Sequence, residues 1–289
     1  MKKYYLLVLV FLTHLGWANE AHAKNMNSLI NPPDGRLAIV IDGNSPDPDD
    51  IGATSVMLGI LKGTGLTDRL VHLSHSCDLD PFKNPGIQKI DKINELRRQK
   101  ILQYVVDEGT THFGPFDNLR ADYNCRENQE GATQDLVDAI NNSTKADPLW
   151  IIEAGEPDLI GYALEAADKK AIDYVHVVSH HPANDNSGDF FTWQQILDFG
   201  VTEHQIGDQN VELQTPMDEW DWAKGHDNKG IAFIWRMLAY AEHDGVVDFQ
   251  ESKFDCSDTG MVYWWITGAN NNGNKLSTPK DMKDMLLMN

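Results

Sequence analysis

The chain is short of positive charge. Of its 289 residues only 24 are Lys or Arg, against 44 Asp or Glu, and the formal net charge is −20. That balance argues against a nucleic-acid polymer or an anionic membrane as partner. It suits a neutral or cationic substrate or bound divalent cations, and it equally serves to keep a protein soluble. Cysteine is scarce: Cys77, Cys125 and Cys256 are the three. Their spacing fits no cysteine zinc site. In an oxidising compartment they allow one disulfide and leave one thiol, and Cys77 with Cys125 is the expected pair, each lying in a polar, loop-like stretch. A Gly-x-Ser-x-Gly elbow is missing, as are a Walker-type phosphate loop and a Gly-x-Gly-x-x-Gly after the first strand, so a serine hydrolase and a nucleotide-dependent enzyme are set aside. No Pro/Ser-rich linker, low-complexity tract or internal repeat divides the chain.

Long apolar runs are also lacking. The one candidate is Tyr5 to Leu12, too short for a stable membrane anchor. Lys2 and Lys3 precede it and Ala21-His22-Ala23 follows, so residues 1–23 read as a cleaved signal peptide. Residues 24–289 are then expected to form a single α/β domain, secreted or periplasmic.

Leu37-Ala38-Ile39-Val40-Ile41-Asp42 reads as a strand buried on both faces, followed by a helix from Asp49 to Gly63. Further strands are expected at 69–75, 149–153 and 174–179. Helices are expected at 85–107, 133–141, 156–167, 192–199, 228–243 and 258–266, with 282–287 closing the chain. Strand and helix alternate through the first two thirds, which predicts a doubly wound, mostly parallel central sheet with helices on both faces. Ligands of such sheets sit at the carboxyl ends of the strands. Those ends read Asp42, His75, Glu153 and His180, all able to bind metal or move protons.

The segment Asp42-Gly43-Asn44-Ser45-Pro46-Asp47-Pro48-Asp49-Asp50 crowds four carboxylates into nine residues. A bound cation would relieve their repulsion, and an oxygen-only donor set points to Ca²⁺ or Mg²⁺ rather than zinc. Asp49 or Asp50 would also serve simply as a helix cap, and Asp47 as a solvated turn residue. The twelve-residue spacing of an EF-hand is absent.

This strand, loop and Asp49-Asp50 pair resemble the N-terminal signature of the inosine-uridine nucleoside hydrolases, Asp-x-Asp-x-x-x-Asp-Asp, which binds Ca²⁺. They are closer to a divergent, mostly secreted bacterial branch, the nucleoside-hydrolase-like proteins, whose loop reads Asp…Asn…Pro-Asp-Asp. Leu149 to Ile160, with its Gly turn at Gly155, resembles the family's next buried strand and helix. His176 to Asp189 resembles the strand and substrate-side loop after it, and Asp258-Thr259-Gly260 the late Asp that closes the metal site. The resemblance implies metal ligation by Asp42, Asn44, Asp50 and Asp258. The family's second Asp falls on Asn44, which binds an ion through its amide oxygen but takes no proton; Asp47 is the residue placed to substitute.

Other candidates rest on position. His180 or its neighbour His181 would protonate a leaving group or hold a hydroxyl, and His75, Glu153 and Glu156 would line the substrate site. Asn184 and Asp185 belong to the same polar loop. Trp220 and Trp222 lie among Asp218, Glu219 and Asp221, a segment that reads as too polar for core, so their indoles are expected to be exposed for a sugar or base to stack on. His226-Asp227-Asn228 offers a second His-Asp pair but also reads as an ordinary helix cap. The expectation is a Ca²⁺-dependent hydrolase of a glycosidic or N-glycosidic bond in a small molecule or oligosaccharide, with Asp47, Asp49 and His180 as catalytic groups. A non-catalytic carbohydrate-binding protein on the same fold is the alternative, and a metal-dependent phosphoesterase the third. The sequence leaves self-association into a homo-oligomer open.

Overall fold

The computed structural model describes residues 28–43, 49–80, 92–242, 253–268 and 276–288. The expected signal peptide lies outside these residues, as do Asn44 and Asp47.

Six strands build one parallel sheet: β1 Arg36–Ile41, β2 Leu70–His75, β3 Asp122–Asn124, β4 Leu149–Ala154, β5 Val175–Ser179 and β6 Thr202–Gln205, in the order β3-β2-β1-β4-β5-β6. The chain starts in the middle, winds outward through β2 and β3, then crosses back to lay β4 on the free side of β1. The two halves diverge between β1 and β4, and the gap at their carboxyl ends is the natural crevice of a doubly wound sheet.

Burial explains the winding. Residues 37 to 41 of β1 are fully buried on both faces, as a central parallel strand requires. Leu37, Ile39 and Ile41 face α1 (Asp49–Gly63), α2 (Lys92–Phe113), and the later helices α9 (Lys229–Glu242), α10 (Thr259–Ile266) and α11 (Pro279–Leu286). Ala38 and Val40 face α3 (Cys125–Asn141) and α4 (Asp158–Ala166), with the shorter α5 (Lys169–Ile172) and α7 (Trp193–Asp198) beside them. Every residue of α1 except Asp49 and Lys62 is buried, because helices surround it. Asp49 and Asp50 occupy its first turn, where the helix dipole favours negative charge. A two-stranded antiparallel ribbon, β7 (Gln214–Pro216) with β8 (Lys253–Asp255), leads the chain back to α10, and short helices α6 (Pro182–Asp185) and α8 (Asn210–Leu213) are the other α-helices among the described residues.

Trp220 corrects the expectation of exposure: it is fully buried in the core under α9–α11, and Trp222 is partly buried beside it, the two rings 6.0 Å apart. The acidic neighbours occupy a tight 3₁₀ turn that lets one indole turn inward. Cys77 and Cys125 are buried with their sulfurs 2.8 Å apart, in contact and not bonded; Cys256 is buried elsewhere.

Candidate functional site

Asp42 extends β1 by one residue past the sheet. Its amide donates to the Ala154 carbonyl at 2.9 Å, and its carbonyl accepts from the Asp78 amide at 3.0 Å. The residue is thus gripped from both neighbouring strands at the divergence of β1 and β4. Its carboxylate lies over Gly155, whose φ is +123°. A Cβ at that position would fall 1.9 Å from the Asp42 Cγ, so only glycine admits the carboxylate.

The next turn brings in the helix. Gly43 donates its amide to Asp50 Oδ1 at 3.3 Å, and the Asp50 amide donates to Asp49 Oδ1 at 2.8 Å. Asp49 reaches the C-terminal part of the chain by accepting from the Ser257 hydroxyl at 3.3 Å. Gly52 makes this approach possible: a Cβ there would meet the Asp255 carbonyl at 2.3 Å. One carboxylate oxygen from each of Asp49, Asp50 and Asp258 then lies within 4.8 Å of the others. Asp50 and Asp258 are buried and Asp49 is half-buried. That span is close to two Ca²⁺–oxygen bonds of about 2.3–2.6 Å laid end to end, and the donor set is oxygen alone, so the residues fit a hard divalent cation. Asp42 is outside this group of three but stands at its edge through Gly43.

His180, just past β5, is buried against the same cluster. Its Nδ1 accepts from the Gln209 amide at 3.3 Å, which places the ring hydrogen on Nε2. Nε2 donates to Asp258 Oδ1 at 3.0 Å. Both ring nitrogens are committed, and the carboxylate is held in one orientation.

Glu153, at the end of β4, is completely buried. Burial, then the charges of Asp185, Asp42 and Asp258, push its pKa well above the ordinary carboxylate range. Ser179 opposes this, but its hydroxyl donates to Asp185 at 2.5 Å, and among the described residues neither Glu153 oxygen has a hydrogen-bond partner. Glu156 is pushed up to about 10 by burial and then by Asp78 and Asp42. Asp78 itself rises to about 6, because burial outweighs Arg126 at 3.3 Å. Burial and the neighbouring acidic groups thus favour the protonated form of Glu153 and of Glu156.

The remaining expected residues divide. Asp185 is buried near Glu153 and the two histidines. Asn184 shares α6 with it, and His181 caps that helix by accepting from the Ala183 amide at 3.0 Å. His75 turns away: its nitrogens meet Ser76 and Gln103, each at 3.0 Å, on the side of α2. Trp220 and Trp222 sit in or against the core. His226 accepts from the Asn228 amide, and Asn228 caps α9, so the segment serves as an ordinary helix cap. Ser257, Gln209, Ser179 and Asp78 are contacts the sequence reading missed. Ser257 adjoins Asp258 and could have been found from it; Gln209 carries no local signal.

The chain is 50% identical over 258 residues to "Uncharacterized protein P22" of Formosa agariphila, which spans 89% of this chain and 93% of that protein. No family model matches the chain. Among solved structures it is similar to a plant nucleoside hydrolase, the PpNRh1 enzyme, at 11% identity with a TM-score of 0.45, covering 81% of this chain and 79% of that one. It is also similar to a nucleoside hydrolase-related hypothetical protein from Saccharophagus degradans, described as associated with carbohydrate metabolism, at 10% identity with a TM-score of 0.41, covering 89% and 73%.

Proposed function

We propose, for a chain that belongs to one family with protein P22 of Formosa agariphila, a Ca²⁺-dependent hydrolase of a glycosidic or N-glycosidic bond in a small molecule or oligosaccharide. The observation that carries this reading is the convergence of Asp49, Asp50 and Asp258 at the carboxyl edge of the sheet. Asp49, Asp50 and Asp258 would hold the ion, with Asp42 alongside. A bound Ca²⁺ would supply a charged platform for sugar hydroxyls and a water of lowered pKa.

The protein's own groups do the rest. Asp49, the least buried carboxylate of the three, takes the proton of the attacking water; Asp47 is the alternative base. Glu153 and Glu156 are kept protonated by burial and neighbouring charge, so each is a hydrogen donor for a leaving group or hydroxyl. The ionised carboxylates favour the positive charge of an oxocarbenium-like transition state. His180 serves as the positioning residue of Asp258. The basic and apolar pattern of residues 1–23 supports export to the periplasm or the medium.

A second reading is favoured by Asn44 in place of a carboxylate and by the full commitment of His180: a carbohydrate-binding protein without turnover. One experiment separates the two. Chelator-treated protein is titrated with Ca²⁺ by calorimetry, then incubated with purine and pyrimidine nucleosides and with oligosaccharides. Hydrolysis that Asp49→Asn abolishes supports the enzyme. Ligand-induced thermal stabilisation without any cleavage establishes the binder. No Ca²⁺ heat in wild type, or heat unchanged in Asp50→Ala, removes the metal from both readings.

A further inference from the structure

We propose that Cys77 and Cys125 are a disulfide-forming pair, that Ser74, His72 and Asp135 relay the proton from Cys77, and that the bond fastens the strand end carrying Asp42. The two sulfurs are 2.8 Å apart in the core between the sheet and α3. The next residue of each segment is paired as well, Asp78 with Arg126 at 3.3 Å. With the bond formed, two consecutive cross-links tie the turn after β2 to the first turn of α3. That turn bears on the candidate site through its backbone. The Cys77 amide donates to the Ile41 carbonyl at 3.1 Å and the Asp78 amide to the Asp42 carbonyl at 3.0 Å. Ser76, between β2 and Cys77, has a φ of 55°, a left-handed conformation costly for a non-glycine residue. A covalent anchor at Cys77 holds this turn in place.

The relay is read from donor and acceptor chemistry. His72 Nδ1 lies 2.7 Å from Asp135 Oδ2, and its Nε2 lies 3.0 Å from the Ser74 hydroxyl. An ionised carboxylate only accepts, so Nδ1 carries the hydrogen, Nε2 accepts, and Ser74 donates to it. The Ser74 oxygen is left beside the Cys77 thiol. Burial resists ionisation of that thiol, so a route for its proton matters. Asp135 lines a surface cavity of about 440 Å³, where the chain of groups meets solvent. Cys125 is buried and stands on the single turn that precedes a break in α3 at Asn128, φ −146° and ψ 62°, so opening of that one turn at the break is what exposes it to an oxidant.

The chemistry is thiol–disulfide exchange with a small disulfide oxidant. The Cys125 sulfur attacks the oxidant's S–S bond, forming a mixed disulfide, and its proton goes to the departing thiolate. Cys77 then passes its proton through Ser74 to His72, whose imidazolium is paired with Asp135. The Cys77 sulfur attacks Cys125 Sγ, and the second oxidant sulfur leaves and takes the proton back. One S–S bond forms, one breaks, and two electrons pass to the oxidant.

The test uses the full chain, reduced and then mixed with oxidised glutathione, with samples alkylated at intervals and mapped without reduction. A transient glutathione adduct at Cys125, a final Cys77–Cys125 bond and an alkylatable Cys256 are expected. Ser74→Ala should lengthen the life of the adduct at least about 10-fold while reaching the same product. Oxidised wild type should melt roughly 5–10 °C above reduced wild type, with slower hydrogen exchange at the Asp78 amide. Persistent free thiols at 77 and 125, or a bond to Cys256, overturn the pair. An unchanged adduct lifetime in Ser74→Ala overturns the relay, and equal melting and exchange in the two redox states overturn the fastening. None of these readouts involves the cation.

Discussion

His180 donates through Nε2 to Asp258 at 3.0 Å while its other nitrogen accepts from the Gln209 backbone at 3.3 Å. The imidazole is pinned from behind and aims one carboxylate oxygen at the cluster it shares with Asp49 and Asp50. Outer partners of this kind typically contribute 10–100-fold to metal affinity. His180→Phe is therefore expected to weaken Ca²⁺ binding by roughly 10–100-fold with little change in the circular dichroism spectrum. Calorimetric titration of the variant checks it. An unchanged affinity would show that Asp258 is oriented without the histidine.

Gly155→Ala tests the crowding at the strand ends. A methyl group there has no room beside Asp42, and the backbone at φ +123° disfavours any side chain. The expected loss is at least about 2 kcal/mol of stability, with weakened ion binding because Asp42 must move. Urea unfolding of the variant beside Gly200→Ala is the measurement. Gly200 has a similar φ of +105° but nothing within 4 Å of its Cβ, so the comparison separates strain from collision.

The His176–His204 pair gives a pH dependence with a definite sign. Their facing nitrogens are 2.9 Å apart, and His176 stacks on Trp150 at 4.0 Å. Burial, and then His204, lower the His176 pKa to about 4; burial lowers His204 against the opposing charge of Glu203. Below a pH of about 6.5 the unfolded chain takes up protons that the folded chain refuses. Stability contributed by the neutral pair is thus complete above that pH and is lost as pH falls from there toward about 4. His176→Gln should flatten this part of the curve of urea midpoint against pH. A variant curve parallel to that of wild type between pH 7 and 4 would refute the assignment.

Trp220 should behave as core. Trp220→Ala is expected to cost about 3–5 kcal/mol, whereas Trp222→Ala, at a partly buried position under Lys283, should cost less. Denaturant midpoints of the two variants decide it. Equal, small losses would mean that the acidic turn, rather than the indole, anchors the segment.

These cases also show what a sequence discloses. The apolar runs at 37–41 and 149–152 identify β1 and β4 at once, because a central parallel strand must be apolar on both faces, and α1 follows from Asp49 to Gly63 as expected. The edge strands escape: β3 is Asp-Tyr-Asn and β6 is Thr-Glu-His-Gln, short and polar because one side faces solvent. At the site, Asp50 and Asp258 are legible as carboxylates beside helix starts, and Asp49, expected as a base, also joins the cluster of three. His75 shares the strand-end position but not the direction, since its ring is taken up by Gln103 on α2. Trp220 misled because charge averaged along a segment hides a single residue turned inward. Side-chain direction in loops is set by tertiary packing, which local composition does not encode.

The bond from the Ser257 hydroxyl to Asp49 joins residues 208 apart. At synthesis rates of about 5–20 residues per second, Asp49 and Asp50 leave the ribosome roughly 10–40 s before their distant partners. The carboxylates of α1 spend that interval without Asp258, so the candidate cation pocket is incomplete in the nascent chain. Closing the candidate pocket joins segments distant in sequence, and interactions absent from the transition state govern how fast a protein comes apart rather than how fast it assembles. Ca²⁺ bound at the proposed site should accordingly slow unfolding while leaving the refolding rate nearly untouched, an effect measured in lifetime.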